Sequence, residues 1–172
     1  KKGKGYMKQI NEYIDSIFFF FFKVLDNVLA SIEENGMRAI SVSPSTGKLL
    51  TLLVSISGAK KVLEIGALGG YSGICLARGF GSEGKLISLE LKESLTGPAL
   101  QSLEKLAAAE KTFDFFFIDA DKESYIHYLT FCIQLAEDGA LIVCDNVLAR
   151  GSVAEENGRP EKHTEFMRAF NK

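Results

Sequence analysis

Four short, predominantly apolar segments constrain the fold of this chain more than any other feature of its sequence. They cover residues 61–65, 85–89, 113–118 and 140–144. Segments with the apolar spacing of helices separate them, at 71–78, 100–109 and 125–136. Strands that alternate with helices form βαβ units, and strands covered on both faces are apolar throughout. The sequence therefore predicts an α/β fold with a mostly parallel sheet flanked by helices.

Two helical segments are predicted ahead of the first strand. Residues 7–35 carry apolar side chains at helical spacing, and Gly36 is a typical helix end. Ser43, followed by a proline, favours the start of a second helix that runs to Ser57. We expect one domain, with a helical part at 1–57 and an α/β part at 58–172.

A run of five phenylalanines, Phe18–Phe22, lies within the first helical segment. The simplest interpretation of this run is a helix flank packed on the core or on a partner subunit. The longest apolar run, 17–22, is far shorter than the roughly 20 residues that span a bilayer, so we expect no membrane association.

The composition is that of an ordinary globular protein and argues against a nucleic-acid partner. The chain has 172 residues, of which 47% are hydrophobic and 24% charged, and its formal net charge is −2. A nucleic-acid surface would need a basic face. The three cysteines, Cys75, Cys132 and Cys144, lie in apolar stretches without metal-type spacing. They are typical of buried, reduced thiols, so we expect a cytoplasmic protein.

Acidic residues stand at or near the carboxyl ends of the four predicted strands. They are Glu64, Glu90, Asp119 and Asp145, with Lys122 just after the third and Asn146 just after the fourth. The carboxyl ends of parallel strands meet at one edge of the sheet, where ligands bind. A turn explains any one of these acids alone, because Asp and Asn favour turns. Four of them on successive strands favour a ligand site.

The loop after the first strand, residues 64–72, is rich in glycine, which lets the backbone approach a ligand closely. It lacks the GxGxxG pattern of dinucleotide-binding proteins, because Leu68 stands where the second glycine belongs. Glu90 is placed to bind the hydroxyls of a ribose. The residues therefore support a nucleoside ligand but not a pyrophosphate.

Asp119, Asp145 and Asn146 offer oxygen ligands, with no nitrogen or sulfur. Oxygen ligands suit Mg²⁺, Mn²⁺ or Ca²⁺, and three protein ligands leave positions for a substrate and water. Without a metal, Asp145 and Asn146 would form only a turn. We favour the metal site.

At these residues the chain resembles the class I S-adenosylmethionine-dependent O-methyltransferases, and within them the cation-dependent caffeoyl-CoA and catechol O-methyltransferase group. The most specific stretches are IDADK at 118–122 and DNVLARGSV at 145–153. KVLEIGALGGYS at 61–72 and GPALQSL at 97–103 also match. The resemblance implies a Rossmann-like fold, the cofactor S-adenosylmethionine, a divalent cation such as Mg²⁺, a small phenolic acceptor and a homodimer.

The resemblance also implies roles for individual residues. The cofactor would be bound by Val42, Glu64, Gly66, Ala67, Ser72, Glu90, Ala99, Asp119 and Asp121, with Glu90 on the ribose and Ala99 near the adenine. The cation would be bound by Asp119, Asp145 and Asn146. Lys122 would be the general base beside the acceptor hydroxyl.

The chain departs from the family pattern in two places. The family has a helix and a third strand where this chain has only residues 91–96, and it continues with two more strands beyond Lys172. We expect that residues are missing from the sequence at both places. Two other functions stay open: an NAD-binding oxidoreductase, disfavoured by the absent GxGxxG, and a non-catalytic nucleoside-binding or assembly module.

Overall fold

The computed structural model describes residues 9–10, 12–17, 23–90, 99–155 and 162–172. Residues 12–17 are helical. The other helices are α1 (Lys23–Glu34), α2 (Pro44–Ser57), α3 (Tyr71–Phe80), α4 (Ala99–Ala108), α5 (Tyr125–Leu135) and α6 (Thr164–Phe170). The strands are β1 (Lys61–Ile65), β2 (Lys85–Leu89), β3 (Phe113–Ile118) and β4 (Ala136–Cys144). Short 3-10 turns lie at Gly81–Glu83, Lys122–Ser124 and Ala149–Ala154.

The strands of the described residues form one sheet of order β2-β1-β3-β4, in which every pair is parallel. The chain moves outward from β1 to β2 and then returns to the other side of β1 for β3 and β4. The direction of the strand order therefore reverses between β1 and β3, and ligands of such sheets bind in the crevice outside the carboxyl ends at that point. The predicted α/β class with a parallel sheet is confirmed.

Strand β3 is one of the two central strands of the sheet, and all of its residues except Asp114 are buried. Phe116 and Ile118 on one face join Leu63 and Ile65 of β1 in a hydrophobic cluster that includes side chains of α4 and α5. Phe115 on the other face is also fully buried. Burial of one such side chain contributes about 1.5–3 kcal/mol to the free energy of unfolding. Strand β3 therefore stabilises the sheet at whose edge the candidate site lies.

The described chain divides into two compact units, one of Lys1–Gly58 with Leu68–Glu83 and one of Ala59–Ala67 with Gly84–Lys172. In the first unit, α2 begins at an N-cap, where the Ser43 hydroxyl accepts the N–H of Thr46 at 3.2 Å. Helices α2 and α3 pack closely, since a Cβ on Gly47 would lie 2.8 Å from the Cys75 sulfur. The second unit contains the whole sheet. The single domain expected from the sequence stays a prediction.

Two predicted elements differ from the structure. Strand β4 begins at Ala136, earlier than the predicted 140, because Ala136 already pairs with Phe113 ahead of a register shift. Beyond the last predicted strand, for which the sequence predicts no further element, the structure contains helix α6, whose Met167 is fully buried in the hydrophobic cluster.

The phenylalanine run at 18–22 and the shortened connection at 91–96 lie outside the residues that the structure describes, and both expectations stay predictions. Within the described part of the chain, every helix is too short or too polar to cross a bilayer.

Candidate active site

Three backbone hydrogen bonds align the carboxyl ends of the four strands. The first residue after each of β1, β3 and β4 donates its N–H to the last residue of the neighbouring strand. These bonds are Gly66 to Leu89 (2.8 Å), Asp119 to Ile65 (2.9 Å) and Asp145 to Ile118 (3.0 Å). The sheet ladder thus extends one residue beyond each strand, and the residues predicted from the sequence to meet at one edge do meet there.

Gly66 allows β1 and β3 to approach closely at this edge. Its φ is +102°, which side chains disfavour, and a Cβ at this position would lie 2.1 Å from the carbonyl oxygen of Asp119. The position therefore requires glycine both for its backbone conformation and for lack of space.

Asp119, Lys122 and Asp145 form a charged group at the ends of β3 and β4. The Lys122 Nζ atom lies 3.1 Å from Asp119 Oδ1, and their side chains are only 12% and 21% exposed. Burial raises the pKa of Asp119, the Lys122 charge lowers it, and the Asp145 charge raises it further, with a net increase. Two carboxylates are thus close enough to repel one another, and one ammonium group offsets them only in part.

Asn146 follows Asp145 in a left-handed conformation with φ of +58°. Its N–H donates to Asp145 Oδ1 at 2.7 Å. This local turn fixes the direction of the Asp145 carboxylate. The sequence predicted Asp145 and Asn146 either as ligands or as a turn; the turn is present, and it does not exclude a ligand role.

Lys122 is held by more than its ion pair. It donates to the hydroxyl of Tyr125 and lies 3.4 Å from the carbonyl oxygen of Asp145. The Tyr125 hydroxyl in turn lies 3.1 Å from the carbonyl oxygen of Ile118 and 3.0 Å from that of Asp145. Burial raises the pKa of Tyr125, so this hydroxyl keeps its proton. The lysine head group is therefore fixed between the ends of β3 and β4.

The Asp121 carboxylate is held at both oxygens. Its Oδ2 accepts the N–H of Ser124 at 3.1 Å and caps the 3-10 turn, while Oδ1 accepts the hydroxyl of Tyr128 at 2.5 Å. Burial and the bond to Asp121 raise the pKa of Tyr128, and the charge of Glu90 raises it further. Glu90 and Asp121, both predicted to bind a cofactor, therefore both raise the pKa of Tyr128.

Glu64 differs from the other acids of the predicted set. It lies inside β1, one residue before the strand ends, and its side chain is fully buried. The hydroxyl of Ser88, its register partner on β2, donates to it at 2.5 Å. A buried carboxylate requires such partners, so part of the role of Glu64 is to join β1 to β2.

The remaining predicted cofactor residues occupy different settings. Ala67 follows Gly66 in the loop after β1 and is partly buried. Ala99 is the first residue of α4 and packs in the hydrophobic cluster of the second unit. Val42 and Ser72 belong to the first unit, where Val42 precedes the N-cap of α2 and Ser72 lies in the first turn of α3; both are buried.

Sequence reasoning missed Tyr125 and Tyr128, which hold Lys122 and Asp121. A signal was present, because two tyrosines fall within the first four residues of a helix that is separated from the IDADK stretch by two residues. Among the residues that the structure describes, there is no group of three or more His, Cys, Asp or Glu side chains arranged as a metal site. The predicted set of two carboxylates and one amide does not meet that description.

Comparisons of sequence and of structure both match this chain to O-methyltransferases. A family model described as O-methyltransferase matches residues 21–96 and 92–172. A catechol O-methyltransferase of Niastella koreensis is 36% identical over 185 residues, covering 95% of this chain and 83% of that protein. One from Mycobacterium tuberculosis is 37% identical over 168 residues, covering 86% of this chain and 76% of that protein.

Solved structures give a matching result. An O-methyltransferase from Bacillus cereus, in complex with SAH, superposes with a TM-score of 0.86 at 34% identity, covering 95% of this chain and 83% of that one. The similarity therefore extends over the sheet, and the Rossmann-like fold expected from the sequence is confirmed.

Proposed function

This chain belongs to the O-methyltransferase family, and we propose that it transfers the methyl group of S-adenosylmethionine to a hydroxyl of a small catechol-like or caffeoyl-type acceptor with the help of a divalent cation. The observation that carries the proposal is the group formed by Asp119, Lys122 and Asp145 at the ends of two adjacent strands. The names of the catechol O-methyltransferase relatives support the acceptor class, and the SAH-bound structure supports the cofactor.

The cofactor site would lie at the ends of β1 and β2. Gly66 leaves the backbone free of a side chain there, and Glu90 follows the end of β2 directly. A carboxylate at this position of such a sheet binds the hydroxyls of a ribose. Asp121 accepts a hydrogen bond from the hydroxyl of Tyr128, and the charges of Asp121 and Glu90 both raise the pKa of that tyrosine. This favours a position for Asp121 beside the same ligand as Glu90.

Asp119, Asp145 and Asn146 would hold the cation. These residues fit the role chemically, because they supply oxygen atoms and because the Asp145 charge raises the pKa of Asp119. A cation held by these residues would offset that repulsion. When bound, it would supply a positive charge that favours ionisation of an acceptor hydroxyl and orients it.

Lys122 would accept the proton of the acceptor hydroxyl as a neutral amine, the form that the positive charge of a nearby bound cation favours. Its head group is fixed near Asp119 and the carbonyl of Asp145, so it stands beside the proposed cation ligands. A positioned acid or base contributes about 10²–10⁴ in rate. Methyl transfer is an in-line displacement, so the site also contributes by holding oxygen and methyl carbon in line.

Two variants separate the proposed roles. Asp145→Ala should lose metal-dependent activity and metal affinity while S-adenosylmethionine still binds, as measured by calorimetry. Lys122→Ala should keep both ligands but lose about 10²–10⁴ in turnover. The control is Asp138→Ala, which removes an exposed carboxylate from the other end of β4 and should leave activity unchanged.

The acceptor class is tested with paired substrates. Phenols with two adjacent hydroxyls should react far faster than those with one, because only the former chelate a cation. Full activity in a strong chelator, with equal rates on both kinds of phenol, would contradict the cation mechanism. Failure of S-adenosylmethionine to bind the wild-type protein would contradict the proposed function as a whole.

A further inference from the structure

We propose that Tyr125 is a positioning residue that holds the Lys122 amine between the carboxyl ends of β3 and β4. The proposal rests on the function proposed above, since it assumes that Lys122 takes part in the reaction. It assigns a role to a side chain that the motif reasoning did not select.

The first support is the geometry of the hydroxyl. It accepts from Lys122 Nζ and lies 3.1 Å from the carbonyl oxygen of Ile118 and 3.0 Å from that of Asp145. A phenol has one proton to donate, so it serves one carbonyl at a time while its oxygen accepts from the lysine. One hydroxyl thus links the lysine head group to the backbone at the end of β3 or of β4.

The second support is the rigidity of the tyrosine itself. Its side chain is 1% exposed, and its ring makes an edge-to-face contact with Phe170 at 5.4 Å between ring centres. It is also the first residue of α5, close after the turn that carries Lys122. The Lys122 Nζ atom lies 4.3 Å from the centre of the same ring. A flexible lysine is therefore placed against a fixed aromatic side chain.

The third support concerns Asp119, the other side chain that holds the lysine, at 3.1 Å. Asp119 is also a proposed cation ligand, so its oxygens have two competing uses. Tyr125 is neutral and does not compete for a cation. It can therefore keep Lys122 in place in the state in which Asp119 is engaged elsewhere.

The test is a double-mutant cycle of Tyr125→Phe and Lys122→Ala, with turnover and KM measured for both substrates. Tyr125→Phe removes one oxygen atom and should lower kcat about 10- to 100-fold, the worth of one hydrogen bond to a charged group, while both KM values stay within about two-fold. In the Lys122→Ala background it should cause no further loss, because the tyrosine acts through the lysine.

Two control variants distinguish a positioning role of Tyr125 from general destabilisation of the fold. Tyr128→Phe removes the other buried hydroxyl of α5, which bonds Asp121 and not Lys122, and it should raise the KM for S-adenosylmethionine rather than lower kcat. Phe170→Leu loosens the packing of the Tyr125 ring and keeps its hydroxyl; it should lower the melting temperature while kcat stays within about two-fold.

The outcomes distinguish this inference from the proposed function. Full activity of Lys122→Ala would refute both. A large loss in Lys122→Ala with unchanged kcat in Tyr125→Phe would refute the inference alone. Equal losses from Tyr125→Phe in both backgrounds would also refute it, because they would mean that the tyrosine only stabilises the fold. If Tyr125→Phe melts near the assay temperature, the same cycle is run at a lower temperature at which it is folded; there a loss confined to the background that retains Lys122 supports the inference, and an equal loss in both backgrounds refutes it.

Discussion

Gly66→Ala tests whether the close approach of β1 and β3 positions the candidate site. The added Cβ would lie 2.1 Å from the carbonyl oxygen and 2.6 Å from the carbonyl carbon of Asp119. Nonbonded carbon atoms prefer separations of about 3.5–4.0 Å, so the two chain segments must move apart by roughly 1 Å or more. The segment that moves carries the Asp119 carboxylate.

The expected effect has two parts. An alanine at positive φ costs about 1–2 kcal/mol, and forced overpacking adds about 1–3 kcal/mol, so the free energy of unfolding should fall by about 2–5 kcal/mol. A displacement of about 1 Å at a reacting group costs about 100-fold in rate. The loss in kcat/KM should therefore be at least of that order even where the protein is fully folded.

The assay compares Gly66→Ala with Gly58→Ala below the melting temperature of both. Gly58 has φ of +70°, and no atom lies within 4 Å of where its Cβ would stand, so this control carries backbone strain without a clash. It should lose about 1–2 kcal/mol of stability and keep its activity. If Gly66→Ala matches the control in both stability and kcat/KM, the close approach does not position the site.

Three further predictions follow from burial. Because the pKa of Asp119 is raised on folding, stability is lost as pH rises from the ordinary aspartate range through that raised pKa; Asp119→Asn, which does not ionise, should therefore melt higher than the wild type at neutral pH without divalent cations. A lower melting temperature would mean that the ion pair with Lys122 outweighs the burial cost. Met167→Ala should cost about 2–5 kcal/mol in urea unfolding, since the side chain is fully buried, and a cost under about 1 kcal/mol would place α6 outside the core. Burial raises the pKa of Cys132 to about 12, so iodoacetamide at pH 8 should label it only after unfolding, and rapid labelling of the native protein would contradict that burial.

The sheet could be predicted from the sequence because its central strands are covered on both faces. A strand such as β3 must then be predominantly apolar: it is apolar except for Asp114 near its start, and Asp119 directly follows its four-residue apolar run. The positions of Gly66, Asp119 and Asp145 at one edge followed from this pattern and from the geometry of parallel sheets. The sequence pattern alone therefore predicts that these residues lie at the same edge of the sheet.

Helix α6 could not be predicted in the same way. It is short, and its burial depends on partners outside the helix, such as Ser152, whose hydroxyl lies 2.7 Å from that of Thr164. Serine and threonine are polar residues in a sequence, but a pair of their hydroxyls can be buried in a structure because they hydrogen-bond to one another. The hydroxyls of Tyr125 and Tyr128 are likewise buried beside polar partners: Lys122 and two backbone carbonyls for Tyr125, and Asp121 for Tyr128.

The ends of the strands carry several features that cost folding stability. Asp119 is buried with a raised pKa, and Asn146, Ala149 and Arg150 have positive φ values of +58°, +43° and +55°. Each such residue costs about 1–3 kcal/mol and persists only where its surroundings enforce it. These residues lie at the ends of β3 and β4 or in the segment that follows β4, whereas Glu110, which also has positive φ, lies between α4 and β3. A sequence selected for stability alone would have replaced them with unstrained residues. Their concentration at one edge of the sheet is therefore an argument, independent of any motif, that this edge is where the protein acts.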